Sequence, residues 1–194
     1  MKIVGIDYAM GCPAVCGFEG GEFTFENCTF HYLIDKKNPP YSNNIIGDIK
    51  PEYVTQEERF DWISTWALSQ VLCYGKPDLV VLEDYSFGSK GRVFHIAENT
   101  GLLKHKLYKT EIPFIVVAPT KIKKFATNKG NANKDLMYEK FTEQEGVDLR
   151  KILDTHVEHP ISDIIDSFYI AKYGYSELIR QSELSMRDET NHAK

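Results

Sequence analysis

The chain has 194 residues, of which 42% are hydrophobic and 12% aromatic, so its composition excludes a disordered protein and suits a single globular domain. The formal net charge of −5 at pH 7 argues, taken alone, against a partner as acidic as DNA. The apolar runs are too short to cross a bilayer or to act as a signal peptide, so we expect a cytoplasmic protein with no membrane partner.

The first part of the chain predicts three strands and a long loop. Residues 2–7, KIVGID, are typical of a short buried strand, and residues 14–20 and 22–33 predict two more strands on either side of a glycine turn. Together they predict a three-stranded antiparallel meander. Residues 35–54 are rich in Pro, Asn and Gly, and they predict a loop insertion.

The second part of the chain alternates helices and strands. Thr55 and Glu58 form a predicted capping box at the start of a helix that ends before Gly75, and the apolar run at residues 79–82 predicts a central parallel strand. The elements predicted after it are a helix at 93–109, a strand at 112–119, and helices at 119–125, 134–146 and 161–175.

The order of these elements predicts an α/β fold. We expect a mixed five-stranded sheet, in which three antiparallel strands are followed by parallel ones, with helices on both faces. We expect one domain at residues 1–175, with the loop insertion inside it, and a polar C-terminal tail at residues 176–194.

The four cysteines are Cys12, Cys16, Cys28 and Cys73. The spacing of Cys12 and Cys16 suits half of a zinc site, but no second Cys or His pair follows at zinc-finger spacing. We therefore expect reduced, mostly buried cysteines.

Four acidic residues occupy positions at which a fold of this kind collects ligands. Asp7 ends the first predicted strand and Glu83 ends the central one, and the carboxyl ends of parallel strands meet at one edge of a sheet. Asp163 and Asp166 lie three residues apart on the last helix, so they share one of its faces. Because side chains alternate along a strand, only one of Glu83 and Asp84 should point into such a site.

If the four acids converge, they form an oxygen-rich site for Mg²⁺ or Mn²⁺. Two ions there could activate a water molecule to attack a phosphodiester and stabilise the leaving oxygen. Four packed carboxylates without metal repel one another, so a real cluster favours a metal-binding role. Each residue alone has an ordinary alternative: Asp7 as a turn residue, Glu83 as a strand terminus, and Asp163 with Asp166 as a solvated helix face. The combination, in this order and on these elements, favours the metal site.

Positive charge is concentrated in one segment. Residues 90–134 contain ten Lys or Arg and two acids, a net charge of +8, while the remainder of the chain carries −13. Lys121 and Lys124 share a predicted helix face, and Lys129 and Lys134 flank a turn whose backbone can approach phosphate; the alternative is an ordinary solvated loop. A local basic region indicates a nucleic-acid partner that the net charge conceals. The predicted DNA-binding cations are Lys90, Arg92, Lys121, Lys123, Lys124, Lys129 and Lys134.

Five segments together resemble the RuvC-type Holliday junction resolvases, of the sort that bacteriophages also carry. They are KIVGID, PDLVVLEDYSFGSKG, AENTGLLKHKLY, VAPTKIKKFATNKGNANK and ISDIIDSFYIAKY, and the match extends from residue 1 to about 175, apart from the loop at 35–54. The resemblance implies an RNase H-like fold. It also implies a homodimer that resolves four-way DNA junctions by paired nicks, with metal-activated water as the nucleophile, in DNA recombination and repair.

The resemblance also implies roles for the acidic residues. Asp7 matches the first-strand aspartate of the family, Glu83 the central-strand glutamate, and Asp163 with Asp166 the pair on the C-terminal helix. These four are the predicted catalytic residues and metal ligands.

Other segments match the pattern of the family less specifically. Tyr85 and Phe87 resemble the position at which the family places an aromatic ring against junction bases, although core packing explains either residue equally well. The segment HIAENTGLLKHKLY resembles the one that carries the dimer contacts of the family. Asn128 stands where the pattern has glycine, but Asn tolerates the left-handed conformation that such a turn needs.

Three other functions remain open at this point. One is a broader RNase H-like nuclease acting on flaps, forks or RNA-containing duplexes. Another is a non-catalytic junction-binding protein, which the presence of all four carboxylates disfavours. The GID motif also occurs in actin-like ATPases, but the chain is short for their two lobes.

Overall fold

The computed structural model describes residues 1–35, 37–73, 75–85 and 93–192, with side chains as far as residue 186. The strands are β1 (Lys2–Asp7), β2 (Ala14–Glu19), β3 (Cys28–Ile34), β4 (Ile45–Ile49), β5 (Leu79–Glu83) and β6 (Phe114–Val117). The helices are α1 (Gln56–Leu72), α2 (Val93–Lys109), α3 (Pro119–Thr127), α4 (Lys134–Glu145), α5 (Leu149–Ile152) and α6 (Glu158–His192).

The strands form one mixed sheet of six, in the spatial order β4-β3-β2-β1-β5-β6. β1 pairs antiparallel with β2 and parallel with β5, β2 pairs antiparallel with β3, and β5 pairs parallel with β6. Because β1, β5 and β6 run in the same direction, their carboxyl ends meet at one edge of the sheet. The residues that end β1 and β5 are therefore neighbours.

Helices cover both faces of the sheet. Alternate residues of β1 divide between two hydrophobic clusters: Ile3 packs with α3, α4 and α6, whereas Val4 and Ile6 pack with α1 and α2. This two-sided burial explains why the central strands are almost continuously apolar.

Helix α6 lies directly against β1. A Cβ at Gly5 would overlap the backbone nitrogen of Ala171 and the carbonyl oxygen of Ser167, so only glycine permits this approach. Phe168 and Tyr169 of the same helix are fully buried. The close packing fixes the position of the residues at the start of α6 relative to the end of β1.

The predicted N-cap of α1 at Thr55 is confirmed, and Glu58 bonds one residue before the position that a complete capping box would use. The Thr55 side chain accepts a hydrogen bond from the backbone N–H of Glu58 at 3.1 Å, and the Glu58 carboxylate accepts the N–H of Val54 at 2.8 Å. The first bond satisfies a backbone donor that the first turn of a helix leaves free, and the second holds the residue before the cap.

The predicted count of five strands is wrong by one. Residues 45–49, inside the predicted loop at 35–54, form β4, which pairs parallel with β3 at the edge of the sheet. Ile45 is fully buried there, whereas Ile46 is 41% exposed, as expected for an edge strand. The Pro and Asn residues before this short strand obscured its pattern.

The third strand also begins later than predicted. Residues Phe25–Asn27 form a 3-10 turn, and β3 starts at Cys28. Phe23 and Phe25 are buried as the pattern suggests, but they fill the core beneath a turn instead of alternating along a strand.

The predicted C-terminal tail is helical, because α6 does not end at residue 175 but continues to residue 192. Tyr175 and Leu178 pack against the core in this extension. Among the helices of the described residues, none combines the length and apolar character that a membrane span requires.

Candidate active site

The four predicted carboxylates meet at the carboxyl-end edge of the sheet. Asp7 ends β1 and Glu83 ends β5, and the parallel register of these strands places the two acids side by side. Asp7, Glu83 and Asp166 line one cleft. Asp163, one turn earlier on α6, is 4% exposed, and its charge acts on Asp7.

Burial and mutual repulsion disfavour the ionised forms of these acids. Burial, followed by the charges of Asp166, Glu83 and Asp163, raises the pKa of Asp7 well above its usual value. Burial and the charge of Asp166 raise the pKa of Glu83 to about 8. Burial and the charge of Asp163 raise the pKa of Asp166 to about 6, and burial raises the pKa of Asp163 itself. The four groups therefore need added positive charge to be ionised together at neutral pH.

This donor set fits a hard divalent cation. Mg²⁺ and Mn²⁺ prefer carboxylate oxygens, and a cation among clustered acids offsets the repulsion that raises the pKa of each one. The residues present thus suit the metal that the family resemblance implies.

Two lysines bring positive charge to the acids. Lys123, on α3, lines the cleft, and its ammonium partly offsets the burial and the Asp166 charge that raise the pKa of Glu83. Lys134, at the start of α4, forms an ion pair with Glu158, and its charge also acts on Asp7. Both belong to the basic segment predicted from the sequence.

The other described lysines that were predicted to bind DNA lie at the surface. Lys121, Lys124 and Lys129 are exposed, and the Lys121 Nζ lies 5.6 Å from the centroid of the Tyr173 ring. Asn128 ends α3 in the left-handed conformation, with φ 62°, as the turn prediction requires.

Glu83 and Asp84 both line the cleft, but of these two only the charge of Glu83 acts on Asp7. That only one of the two side chains points into the site stays a prediction. The Asp84 Oδ1 accepts a hydrogen bond from the N–H of Tyr85 at 3.0 Å.

Tyr85 also lines the cleft, and the Lys104 Nζ lies 5.8 Å from the centroid of its ring. An aromatic ring therefore stands beside the carboxylates, where the sequence predicted one. Phe87, Lys90 and Arg92 lie outside the described residues.

Sequence reasoning missed two residues next to Asp163. The His159 Nδ1 lies 2.6 Å from the Asp163 Oδ2, and the Cys12 thiol donates a hydrogen bond to the same carboxylate. His159 has extended backbone angles, with φ −93° and ψ 131°, so helical spacing does not predict the first contact. Cys12 lies between β1 and β2, and only the tertiary fold brings it there.

The cysteine prediction is confirmed: Cys12, Cys16 and Cys28 are reduced and buried, and Cys73 is reduced and exposed.

A second cleft adjoins the first at Asp166. Its lining includes the cations Lys134 and Arg150 and the imidazole of His156. The Arg150 guanidinium carbon lies 4.1 Å from the centroid of the Tyr138 ring, which holds this cation at the cleft. The predicted basic segment ends at residue 134 and so did not include Arg150.

The fold is similar to those of solved Holliday junction resolvases. Thermus thermophilus RuvC in complex with a Holliday junction substrate matches with a TM-score of 0.58 and 18% identity, over 88% of this chain and 90% of that one. The Fowlpox virus resolvase in complex with Holliday junction DNA matches with 0.51 and 17% identity, over 92% and 99%. The yeast mitochondrial resolvase Ydc2 matches with 0.51 and 16% identity, over 87% and 75%.

No family model and no curated protein sequence matches the chain. At these identities the structural likeness establishes the fold. The predicted RNase H-like resolvase fold, with its mixed sheet covered by helices on both faces, is therefore confirmed.

Proposed function

We propose that the chain is a metal-dependent, structure-selective DNA endonuclease that resolves four-way junctions by paired nicks. The observation that carries this proposal is the convergence of Asp7, Glu83, Asp163 and Asp166 at one edge of a resolvase-type sheet. Thermus thermophilus RuvC and the Fowlpox virus resolvase are both described in complex with Holliday junction DNA, which supports branched DNA as the substrate here.

In this proposal the four carboxylates hold Mg²⁺ or Mn²⁺, two ions per site. The bound cations supply an activated water and stabilise the charge that develops on the phosphodiester. Asp7 and Glu83 stand at the ends of paired strands, so the ladder sets their separation. Asp163 and Asp166 stand on a helix packed tightly against β1. The ligands are therefore positioned by rigid elements before substrate binds.

Cations and one aromatic ring around the acids suit a DNA strand. Lys123 and Lys134 can hold backbone phosphates beside the carboxylates, and Arg150 in the adjoining cleft extends this positive track. Tyr85 offers a ring on which an unpaired base can stack without being read for its identity. The remaining predicted DNA contacts are Phe87, Lys90, Arg92, Lys121, Lys124 and Lys129.

The exposed face of α2 supports the predicted homodimer. Phe94 is 77% exposed and Tyr108 is 73% exposed, and with Gly101 and His105 they follow one stripe of the helix. A second copy of the chain would cover this stripe and place two carboxylate clefts on one junction. Sedimentation analysis should then give twice the chain mass of 22.3 kDa, and a single-chain mass at micromolar concentration would contradict the dimer.

The alternative nuclease acts on flaps, forks or RNA-containing duplexes, and a panel of labelled substrates separates the two. Four-way, three-way, flap, hybrid and linear duplexes are incubated with and without Mg²⁺. The proposal expects paired, symmetric nicks in the four-way junction that require the metal. Preferential cleavage of flaps or hybrids would favour the alternative, and binding without cleavage under all metals would favour a non-catalytic junction-binding protein.

A cytoplasmic location, that of the host if a bacteriophage encodes the chain, remains a prediction.

A further inference from the structure

Three side chains with different donor atoms meet beside the carboxylate cleft. The Cys12 Sγ, one His159 ring nitrogen and one Asp163 carboxylate oxygen all lie within 4.8 Å of one another. Cys12 and Asp163 are buried at 5% and 4% exposure, whereas the His159 side chain is 50% exposed. Two of the three side chains are thus held in the protein interior, and the third is open to solvent.

The donors of this cluster differ in kind from those of the carboxylate cleft. A thiolate, an imidazole and a carboxylate together are the ligands of Zn²⁺ and related borderline metals, whereas Mg²⁺ binds oxygen. An open zinc site usually has three protein ligands and a water molecule in the fourth position. The cluster therefore suits a metal that the carboxylate cleft does not select.

The distances are close to those that a metal would need. Ligand atoms around a tetrahedral Zn²⁺ lie about 3.3–3.7 Å apart, given metal–ligand bonds of about 2.0–2.3 Å. The His159 Nδ1 and Asp163 Oδ2 are 2.6 Å apart, so they would have to separate by about 0.7 Å. The half-exposed imidazole has the most room to make this movement, because Cys12 and Asp163 are buried.

We propose that Cys12, His159 and Asp163 form a binding site for Zn²⁺ or another borderline divalent metal, which adjoins the hard-cation site and shares Asp163 with it. On binding, the thiol proton of Cys12 is released to solvent, and the proton that the His159 Nδ1 donates to Asp163 passes through solvent to Nε2. The sulfur and Nδ1 lone pairs then form bonds to the metal. The hydrogen bonds that His159 and Cys12 make to Asp163 are exchanged for bonds to the metal.

A regulatory consequence rests on the proposed nuclease function. Asp163 contributes to both sites, so Zn²⁺ bound by Cys12 and His159 withdraws this carboxylate from the hard-cation cleft. Zn²⁺ should therefore inhibit Mg²⁺-dependent cleavage. The binding test below uses no DNA, so a failure of the nuclease function leaves its outcome unaffected.

Co²⁺ serves as the probe, because a thiolate bound to Co²⁺ gives a charge-transfer absorption that oxygen ligands do not give. The full chain, in excess Mg²⁺ to fill the carboxylate cleft, is titrated with Co²⁺ and then with Zn²⁺. We expect one equivalent of Co²⁺ to produce the charge-transfer band and Zn²⁺ to abolish it. Cys12→Ser should remove the band, and His159→Ala should weaken Co²⁺ binding at least about tenfold, since losing even an outer-shell partner costs about 10- to 100-fold.

Cys73→Ser is the matched control, because Cys73 is an exposed cysteine outside this cluster, and it should leave the band and the affinity unchanged. Circular dichroism verifies that each variant is folded, and His159→Ala tests the site even where Cys12→Ser does not fold, since its side chain is half exposed. The proposal is overturned if the wild type shows no charge-transfer band, if the band survives Cys12→Ser, or if His159→Ala binds Co²⁺ as tightly as the wild type.

Discussion

The start and the middle of helix α6 make opposite contributions to the protein. The first turns place Asp163 and Asp166 against Asp7 and Glu83, where burial and repulsion raise the pKa of each acid and cost stability. The middle of the helix carries Phe168, which is fully buried against the sheet.

Phe168 is part of an aromatic cluster that holds the helix in place. Its ring centroid lies 5.3 Å from that of Phe23, 5.2 Å from that of Phe141 and 5.5 Å from that of Tyr169. Such pairs stabilise beyond their apolar burial. The acids at the start of α6 repel one another, and the packing of the following turns of the same helix holds them together.

Removing the packing should produce the largest loss of stability. Phe168→Ala deletes a fully buried ring and should lower the free energy of unfolding by about 3–5 kcal/mol, measured by chemical denaturation. Tyr41→Ala, at a side chain that is 79% exposed, is the control and should change it by less than about 0.5 kcal/mol. If both variants lose equally little, the middle of α6 does not hold the site together.

Changing the pH should alter stability through the acids that meet at the start of α6. Burial and neighbouring charge raise the pKa of Glu83 from 4.5 to about 8 and that of Asp166 from 3.8 to about 6. The folded state therefore binds more protons than the unfolded state between about pH 4 and pH 8, so stability falls as the pH rises. Each unit of pKa shift corresponds to about 1.4 kcal/mol, so the two shifts together give a loss on the order of several kcal/mol.

Thermal melting in a chelator measures this loss. The melting temperature should be lower at pH 8 than at pH 5 by about 5 °C or more, and Mg²⁺ should recover part of the difference at pH 8. Glu83→Gln should flatten the pH dependence. A melting temperature that rises with pH in this interval would contradict the repulsion among these acids.

Neutralising lysines should have the smallest effect, because surface contacts to phosphate are individually weak. The double variant Lys123→Gln and Lys124→Gln should weaken DNA binding on every substrate. It should also reduce the slope of the logarithm of the binding constant against the logarithm of the salt concentration by about 2, one for each phosphate contact. Lys76→Gln is the control, since Lys76 is exposed just before β5, at the opposite edge of the sheet. An unchanged slope in the double variant would mean that these lysines do not contact phosphate.

The acids of the site were predictable because local patterns place them. Asp7 and Glu83 each end an apolar run, which identifies the carboxyl ends of buried strands, and Asp163 and Asp166 share a helix face beside an apolar stripe. The sheet and the helices on both faces follow from the same patterns.

Other features depend on tertiary contacts that one sequence does not reveal. β4 is five residues long and follows a run of turn formers, so its pairing with β3 gives no strong local signal. Cys12 reaches Asp163 only when α6 packs against β1. Arg150 joins the second cleft through its contact with Tyr138, which spacing alone does not predict.

In the proposed function, the carboxylate cleft cleaves a four-way DNA junction and the surrounding cations bind it. The most direct measurement compares the wild type with Asp7→Asn on one labelled four-way junction in Mg²⁺, with cleavage and binding determined on the same samples. Asp7→Asn removes a ligand worth several kcal/mol of transition-state stabilisation, so cleavage should fall about 1,000-fold while the dissociation constant stays close to that of the wild type. Cleavage by Asp7→Asn at the wild-type rate would contradict the account.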